Sequence, residues 1–548
     1  MRRLACSAVI LMAMSLMIAR TASATTYYVA ANGSDSNSGT SKTSPWLHAP
    51  GMPNCSATCS SATVGAGDSL IFRGGDAWHF ANSSASPYVG SGGWTFSRSG
   101  TSSNCELDAS AGTVVTTSCI YVGTDQSWYA GAAFARPILT ADNPLSTSMP
   151  ASCTYNSSGS TFIRFSGSYL IIDDFDVQGA CIGSASGGSF VDPTGTMVEI
   201  SNCYFHGWTL TTSGDDNFPM ISVTQNRNYV RIDHNVFDGS DSSNGTTAGM
   251  DCGFGIYGVG QEIDHNVFRR MSNAIKGVTG VIKSIHDNLF EYLYNADGIS
   301  GVHGNVMESN GESPGNVYFY NNVYRLSNEG VGIALEPHGN SAAYIFNNVV
   351  YHTANPSQCM DMALQDDGPV TFYFSNNTFD QSSGYGCQID FGLDYAHSGG
   401  TGSDTYMENM HFIGWTAFSG VYQFESGVTG SQITVNNSGA NIFQSESAAN
   451  AQGYAAANMY QPTAQGAATV SQGLSLVSQC AAYSHDSALC SGSTGGVAST
   501  SGQGGEVVTS SGISVNPRST DWDSGAYEFA PAVSGPPGTP PGFGALVR

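Results

Sequence analysis

Lys276, Asp297, His303, Glu336, His338 and Asp366 are the residues of this 548-residue chain whose types could take, give or carry a proton from one surface. A lysine amine acts as a base only when neutral, and a carboxylate either takes the proton itself or holds a cation that spreads developing negative charge. Arg270, beside Arg269, could neutralise a departing oxygen. Asp233 and Asp264 pose a separate question, because they occupy the same place in two similar segments, Arg231-Ile232-Asp233-His234-Asn235-Val236-Phe237 and Glu262-Ile263-Asp264-His265-Asn266-Val267-Phe268. If the segments pair, the two carboxylates face each other and need an arginine, a shared proton or a cation between them. A calcium ion is one solution, since hard oxygen ligands suit it; Arg231 is another. His234, His265 and Asp287, one place further on, are expected to point to the opposite side.

Such residues converge only if the chain stacks them, and the sequence carries a repeat that would. The same pattern recurs at Ile285-His286-Asp287-Asn288-Leu289-Phe290, Phe319-Tyr320-Asn321-Asn322-Val323-Tyr324, Ile345-Phe346-Asn347-Asn348-Val349-Val350 and Phe374-Ser375-Asn376-Asn377-Thr378-Phe379, with weaker copies around Asn202 and Asn409. The strong Asn positions, 235, 266, 288, 322, 348 and 377, are spaced by 31, 22, 34, 26 and 29 residues. A floor near 22 with variable excess describes a fixed coil bearing loops. Aligned on that Asn, the position three before it and the position two after it are apolar in every copy. No segment sustains the i, i+3, i+4, i+7 pattern of a helix, so short strands separated by tight Asn and Gly turns are expected. Stacked coils would lie about 4.8 Å apart and let each Asn amide bond the next.

A second strand in each coil is read from Gly255-Ile256-Tyr257, Ala274-Ile275-Lys276, Gly298-Ile299-Ser300 and Gly332-Ile333-Ala334. With Ile inward, Tyr257, Lys276, Ser300 and Ala334 form an outward column, with Asp297 diagonal to Lys276. Loops at roughly 239–253, 304–316 and 352–360 would wall this face. Three places after the ladder Asn, Asp238, Arg269, Glu291 and Arg325 alternate in sign, which cross-strand pairing explains. Lys276 has no such counterpart in its expected column; its plain alternative is a solvated surface side chain.

On these repeats, over roughly residues 26–445, the chain resembles the right-handed parallel β-helix proteins of the pectate-lyase-like superfamily. The opening Tyr27-Tyr28-Val29-Ala30-Ala31-Asn32-Gly33-Ser34-Asp35 with Pro45-Trp46 is similar to the first strand and entry turn of secreted members, and Gly67-Asp68-Ser69-Leu70-Ile71-Phe72-Arg73-Gly74-Gly75 to the following coil. Asp521-Trp522-Asp523-Ser524-Gly525-Ala526-Tyr527-Glu528-Phe529 is similar to the closing motif of bacterial β-helix proteins that carry a variable surface anchor. The resemblance implies an all-β, right-handed parallel β-helix solenoid with an Asn ladder. Its parts would be a signal peptide (1–24), an N-terminal cap and first coils (25–150), the β-helix (151–445), a looser C-terminal cap (446–530) and a Pro/Gly-rich tail (531–548). Two shorter likenesses do not transfer. Gly214-Asp215-Asp216 and Asn295-Ala296-Asp297-Gly298 resemble polygalacturonase motifs in reversed order, and Glu336-Pro337-His338 resembles the Asp-Pro-His of mannuronan epimerases with Glu in place of Asp.

Composition narrows the partners. Lys and Arg number 17 against 42 Asp and Glu, a net charge of −25 that argues against nucleic acid and anionic membranes. Charged residues are only 11%, and 26 Phe with 26 Tyr exclude a collagen-like or disordered chain. Arg2 and Arg3, the apolar run Ala8 to Ile18 and Ala22-Ser23-Ala24 read as an export signal cleaved after Ala24, with no membrane span behind it. Export places the protein outside a bacterial cell or on its surface, and removes Arg2, Arg3 and Arg20 but no acid. Of 13 Cys, all but Cys6 remain, and short spacings favour Cys55–Cys59, Cys105–Cys119 and Cys480–Cys490 bridges. A zinc site at Cys55 and Cys59 is the alternative.

Three functions are carried forward. The resemblance implies a polysaccharide lyase that eliminates across a uronate, with Lys276 as base, Arg270 or Arg269 near the leaving oxygen, and Ca²⁺ on Asp297 and Glu336, within reach of Asp366. His303 and His338 complete the face. A glycoside hydrolase would instead pair two carboxylates from Asp297, Glu336, Asp361 and Asp366. The third is a non-enzymatic surface adhesin or structural β-helix.

Overall fold

In a computed structural model, the residues described are 24–90, 93–102, 105, 117–145, 152–155, 161–182, 189–210, 219–223, 229–239, 254–258, 262–271, 273–278, 284–293, 306–310, 316–325, 333–335, 341–351, 360–364, 368–381, 388–393, 402–425, 427–455, 460–480, 489, 497–498, 508–509, 518, 522–527 and 529. Among them, three long parallel sheets hold 13, 12 and 11 strands, here sheets 1, 2 and 3. Each coil visits them in that order, as in Val230–Asp233, Val236–Asp238 and Phe254–Gly258. Successive coils pair in register, so the chain is the parallel β-helix expected of its repeat.

The apolar columns form its interior. Ile232, Ile263, Ile285, Phe319, Ile345 and Phe374 line sheet 1 from within, and Phe237, Phe268, Phe290, Tyr324, Val350 and Phe379 line sheet 2. The rings of Phe205, Phe237, Phe268 and Phe290 stack at 5.0, 4.8 and 5.1 Å. Coil spacing and aromatic contact distance thus coincide, which is why aromatic residues repeat at this position.

Between sheets 1 and 2 the chain turns in two residues. The first has a positive φ of 51 to 57° in Asn202, His234, His265, Asp287, Asn321, Asn347, Asn376 and Asn409, a conformation that Asn and Asp tolerate best among residues with a Cβ. The second is the ladder Asn. Asn235, Asn266, Asn288, Asn322 and Asn348 each donate through Nδ2 to Oδ1 of the next Asn, at 2.9 to 3.2 Å, ending at Asn377. The same Oδ1 atoms accept the backbone N–H one coil back, so the buried turn amides are satisfied. The weaker copies have a simple cause: Asn202 and Asn409 occupy the first turn position, and Cys203 and Met410 stand in the ladder.

After the last ladder coils the chain doubles back along its own flank. Leu476, Cys480, Leu489 and Trp522 pack on Tyr320 and Phe346 outside sheet 1, while Tyr454, Tyr460, Ala526 and Tyr527 cover Val323, Val349 and Tyr351 outside sheet 2. The closing motif is held by the turns themselves. Asn376 Nδ2 donates to Asp523 O at 2.9 Å, Gly525 N–H to Asn409 O at 2.6 Å, and Ala526 N–H to Thr378 Oγ1 at 3.0 Å. Buried Arg518 donates to Asn347 Oδ1 at 2.8 Å and lies over the Trp522 ring. The described parts of 446–530 therefore shield the side of the solenoid. Disulfides join Cys55–Cys59, Cys105–Cys119 and Cys153–Cys181, so Cys55 and Cys59 are not zinc ligands. Cys480 is disulfide-bonded, and its expected partner Cys490 lies outside the described residues.

This flank makes stability sensitive to acid. His411 is buried beneath Tyr454 with Nε2 donating to Gln444 Oε1 at 2.8 Å. Burial drives its pKa down to about 4 from 6.5, against the Gln444 bond and the charge of Asp380. The folded state therefore binds the proton less readily than the unfolded state. The stability that depends on a neutral His411 is complete above about pH 6.5 and lost as pH falls toward 4, in all about 3 kcal/mol. Melting temperature followed from pH 7 to pH 4 should fall less steeply in His411→Gln than in the wild type; parallel curves would contradict this.

Candidate functional site

Among the described residues, groups of ionisable side chains lie on the outer side of sheet 3 and at the edge between sheets 1 and 2, apart from the charged column of sheet 2. On sheet 3, Ile256 pairs with Ile275 and Tyr257 with Lys276, as the repeat predicts. The next coil departs from the expected alignment. Lys276 is in register with Glu308, on Met307–Asn310, and Glu308 with Ala334. Ser300 therefore does not enter this column, and 304–316 is not purely loop. Alignment on Gly-Ile failed because Met307 holds the inward place of Ile. The column runs on through Asp361, Asp390 and Gln423, and begins with Ser222 before Tyr257. Beyond it, Asp192 and Arg164 pair on the strands above, with Arg164 Nε 3.3 Å from Asp192 Oδ2.

Lys276 alternates with buried Ile275 and so faces away from the core, yet it is only 8% exposed. It is thus a covered side chain on an outer face. Asp390, outward between Ile389 and Phe391, is likewise fully buried. Glu308 and Asp390 were not read from the sequence as members of the Lys276 column, and Asp361 was read only as a hydrolase carboxylate. The available signal was an apolar–acid pair, Met307-Glu308, Met360-Asp361 and Ile389-Asp390, in place of Gly-Ile. Asp297, His303, Glu336, His338 and Asp366 lie outside the described residues, as do Ser300 and the three look-alike motifs.

Arg270 has another engagement. It and Arg269 stand on sheet 2 and both bind Asp238, Arg269 Nε at 3.1 Å and Arg270 Nε at 2.6 Å. Arg325 binds Glu291 in the same column, Nη2 to Oε2 at 2.8 Å. Cross-coil pairing thus accounts for these five charges, and Asp238, fully buried, needs both arginines close.

At the edge of sheet 1 the stacked carboxylates are real: Asp233 and Asp264 are in register. Arg231 supplies the countercharge. Its Nε and Nη2 donate to Asp264 Oδ1 and Oδ2 at 2.9 and 2.8 Å, its Nε lies 4.0 Å from Asp233 Oδ1, and its Nη1 lies 3.7 Å from Glu199 Oε1. His234, His265 and Asp287 do not point away. Their positive φ returns each side chain to the same outer side, where His234 Nδ1 meets Asp233 at 2.7 Å and His265 Nδ1 meets Asp264 at 2.8 Å. His286 completes the group, with Nδ1 on Asp287 at 2.8 Å and Nε2 on Glu262 at 3.1 Å. Tyr229 donates to the other oxygen of Glu262 at 2.5 Å.

The electrostatics follow from these contacts. Burial opposes ionisation of Asp264, yet Arg231 and His265 hold its pKa well below the usual carboxylate range. Burial disfavours the charged form of His286, but Asp287 and Glu262 outweigh it and raise its pKa well above that of a free imidazole. Two carboxylate acceptors require both ring nitrogens to donate, so His286 is an imidazolium. His265 is raised in the same manner, burial being outweighed by Asp264. Glu199 is pushed well up, by burial first and then by Asp233.

Three sets of residues here bring ligand atoms within 4.8 Å of one another: His234, Asp264 and His265; His265, His286 and Asp287; and Glu262, Asp264 and His286. They fit calcium poorly. Every set contains imidazole, both oxygens of Asp264 already serve Arg231, and Ca²⁺ wants six to eight oxygens.

No family model matches the chain, and no curated protein does. Solved structures give likenesses at low identity. One is a pectate lyase, with a TM-score of 0.41 and 17% identity over 92% of this chain and 96% of that one. Another is the GH136 lacto-N-biosidase from Eubacterium ramulus, with 0.37 and 11% over 77% and 68%. A rhamnogalacturonan lyase gives 0.37 and 15% over 76% and 87%. None of them assigns a role to a residue here.

Proposed function

We propose that the chain is an exported, carbohydrate-active β-helix protein that cleaves a uronate-containing polysaccharide by β-elimination on the outer face of sheet 3. The observation that carries this reading is Lys276, an outward lysine only 8% exposed, in register with Tyr257 on one side and Glu308 on the other. Elimination removes the proton α to a carboxylate and expels the oxygen on the next carbon. It needs a base at the proton and positive charge at the carboxylate. A lysine serves as base only as the neutral amine, a form that burial or a nearby cation favours. Lys276 takes that role, and Asp297, Glu336 and Asp366, which lie outside the described residues, are assigned the role of holding Ca²⁺. That cation would supply the charge that neutralises the uronate. A chain of net charge −25 needs such a bridge to approach an anionic polymer. Arg269 and Arg270 have no part in this step, since Asp238 engages both.

Three disulfides suit an oxidising compartment, and among the described residues no helix is long and apolar enough to cross a membrane. A second reading, a glycoside hydrolase, is favoured by one observation: two acidic positions, Asp361 and Asp390, are in register on adjacent strands.

A panel of polyuronates and neutral glycans, assayed with Ca²⁺ and with excess chelator, tests the proposal. Cleavage of a polyuronate that chelator abolishes and Ca²⁺ restores is expected. Full activity in chelator would remove the cation from the mechanism, and cleavage of neutral glycans alone would favour the carboxylate pair.

A further inference from the structure

We propose that His234 and His265 form a binding site for a borderline divalent metal ion such as Zn²⁺, on the outer edge where sheet 1 turns into sheet 2. The two residues hold equivalent turn positions on adjacent coils, with φ of 56 and 55°. Their rings are parallel to within 5°, with centroids 4.6 Å apart. Each Nδ1 faces the aspartate that precedes it, at 2.7 and 2.8 Å. An ionised carboxylate only accepts, so each Nδ1 carries the hydrogen and each Nε2 is the nitrogen left for a ligand. The parallel rings present the same edge one coil apart, and a tilt of these two partly exposed rings toward each other brings both Nε2 atoms onto one ion. The side chains are 31% and 32% exposed, so an ion can reach them from solvent.

Behind the rings, the structure holds negative charge in reserve. Asp233 is 4% exposed, and its Oδ1 accepts no hydrogen bond, the nearest cationic atom being Arg231 Nε at 4.0 Å. Asp264, Glu262 and Asp287 complete an acidic surround balanced by Arg231 and His286. A carboxylate that fixes the tautomer of a ligating imidazole and raises its basicity is the usual support of such a metal site. Two imidazoles suit Zn²⁺, Ni²⁺ or Cu²⁺, whereas Ca²⁺ and Mg²⁺ prefer oxygen. Ligation would displace any proton on Nε2 and tie two coils together at their edge.

The group is distinct from Lys276 and its column, so its test is independent of catalysis. The full chain, stripped of metal, is titrated calorimetrically with Zn²⁺ and separately with Ca²⁺. One Zn²⁺ per chain should be lost, or weakened at least about tenfold, in H234Q/H265Q. Neither H79Q nor K276A should change it. His79 is the matched control, since its Nδ1 also rests on a carboxylate, Asp142 at 2.5 Å, and its ring stacks on no second imidazole among the described residues. Equal Zn²⁺ uptake by wild type and H234Q/H265Q, or an equal loss in H79Q, would overturn the assignment. Where circular dichroism finds the double variant unfolded, the wild type is treated with diethyl pyrocarbonate. Zn²⁺ should then protect His234 and His265 from modification, and modification at the same rate with and without Zn²⁺ would overturn the proposal.

Discussion

Arg231→Ala should lose about 3–5 kcal/mol of stability, the largest structural effect expected of any single substitution at the edge of sheet 1. The arginine is the countercharge of Asp264, which is fully buried, and the nearest cation to Asp233 and Glu199. Its removal leaves carboxylates stacked in register with only imidazoles to answer them. The deficit has a signature in pH. Asp264 is held well below its ordinary value of 3.8, so the stability it gains from Arg231 is present above that value and disappears in acid. The gap between wild type and variant should therefore narrow as pH falls toward 3. A double variant, Arg231→Ala with Asp264→Asn, should regain part of the loss, because the fully buried carboxylate that Arg231 binds most closely is then no longer charged. Denaturant unfolding at pH 7 and pH 3 measures all three. A loss under 1 kcal/mol, or one that does not change with pH, would mean that water or another cation serves these carboxylates.

Lys276→Ala should lower the rate on the preferred polyuronate by about 10²- to 10⁴-fold, the usual contribution of a positioned base. The informative comparison is Lys276→Arg. Arginine keeps the positive charge but cannot give up its proton at working pH. If Lys276 is the base, both variants are equally inactive; if it only neutralises substrate charge, Lys276→Arg keeps most of the activity. Melting temperature separates these outcomes from misfolding. Lys276 is a covered residue, so some destabilisation of the alanine variant is expected, and the arginine variant guards against mistaking that for lost chemistry.

The fold was legible because it repeats. One column of Asn and two of apolar residues, each on the same offset in six copies, leave few structures that bury all three. The sign alternation from Asp238 to Arg325 was legible for the same reason, since register turns sequence offsets into contacts. Sheet 3 was harder. Its strands follow turns of variable length, and Met307 and Met360 fill inward places that elsewhere hold Ile, so a pattern keyed to Gly-Ile skipped Glu308 and inserted Ser300. The histidines at the turn were misdirected for a backbone reason. Strand alternation predicts that neighbours face opposite sides, but a residue with positive φ no longer obeys it, so His234 and His265 join the aspartates before them. The lateral course of the closing segment had no signal in composition; it depends on the Asn column of the turns and on aromatic residues outside sheets 1 and 2.

The most direct measurement counts chain ends after digestion of a polyuronate. β-Elimination leaves one ultraviolet-absorbing unsaturated sugar end for every new reducing end, whereas hydrolysis leaves reducing ends alone. The account predicts one unsaturated end for each bond cut, and no increase in either end with Lys276→Arg. New reducing ends without the double-bond absorbance, or cleavage undiminished in Lys276→Arg, would contradict it.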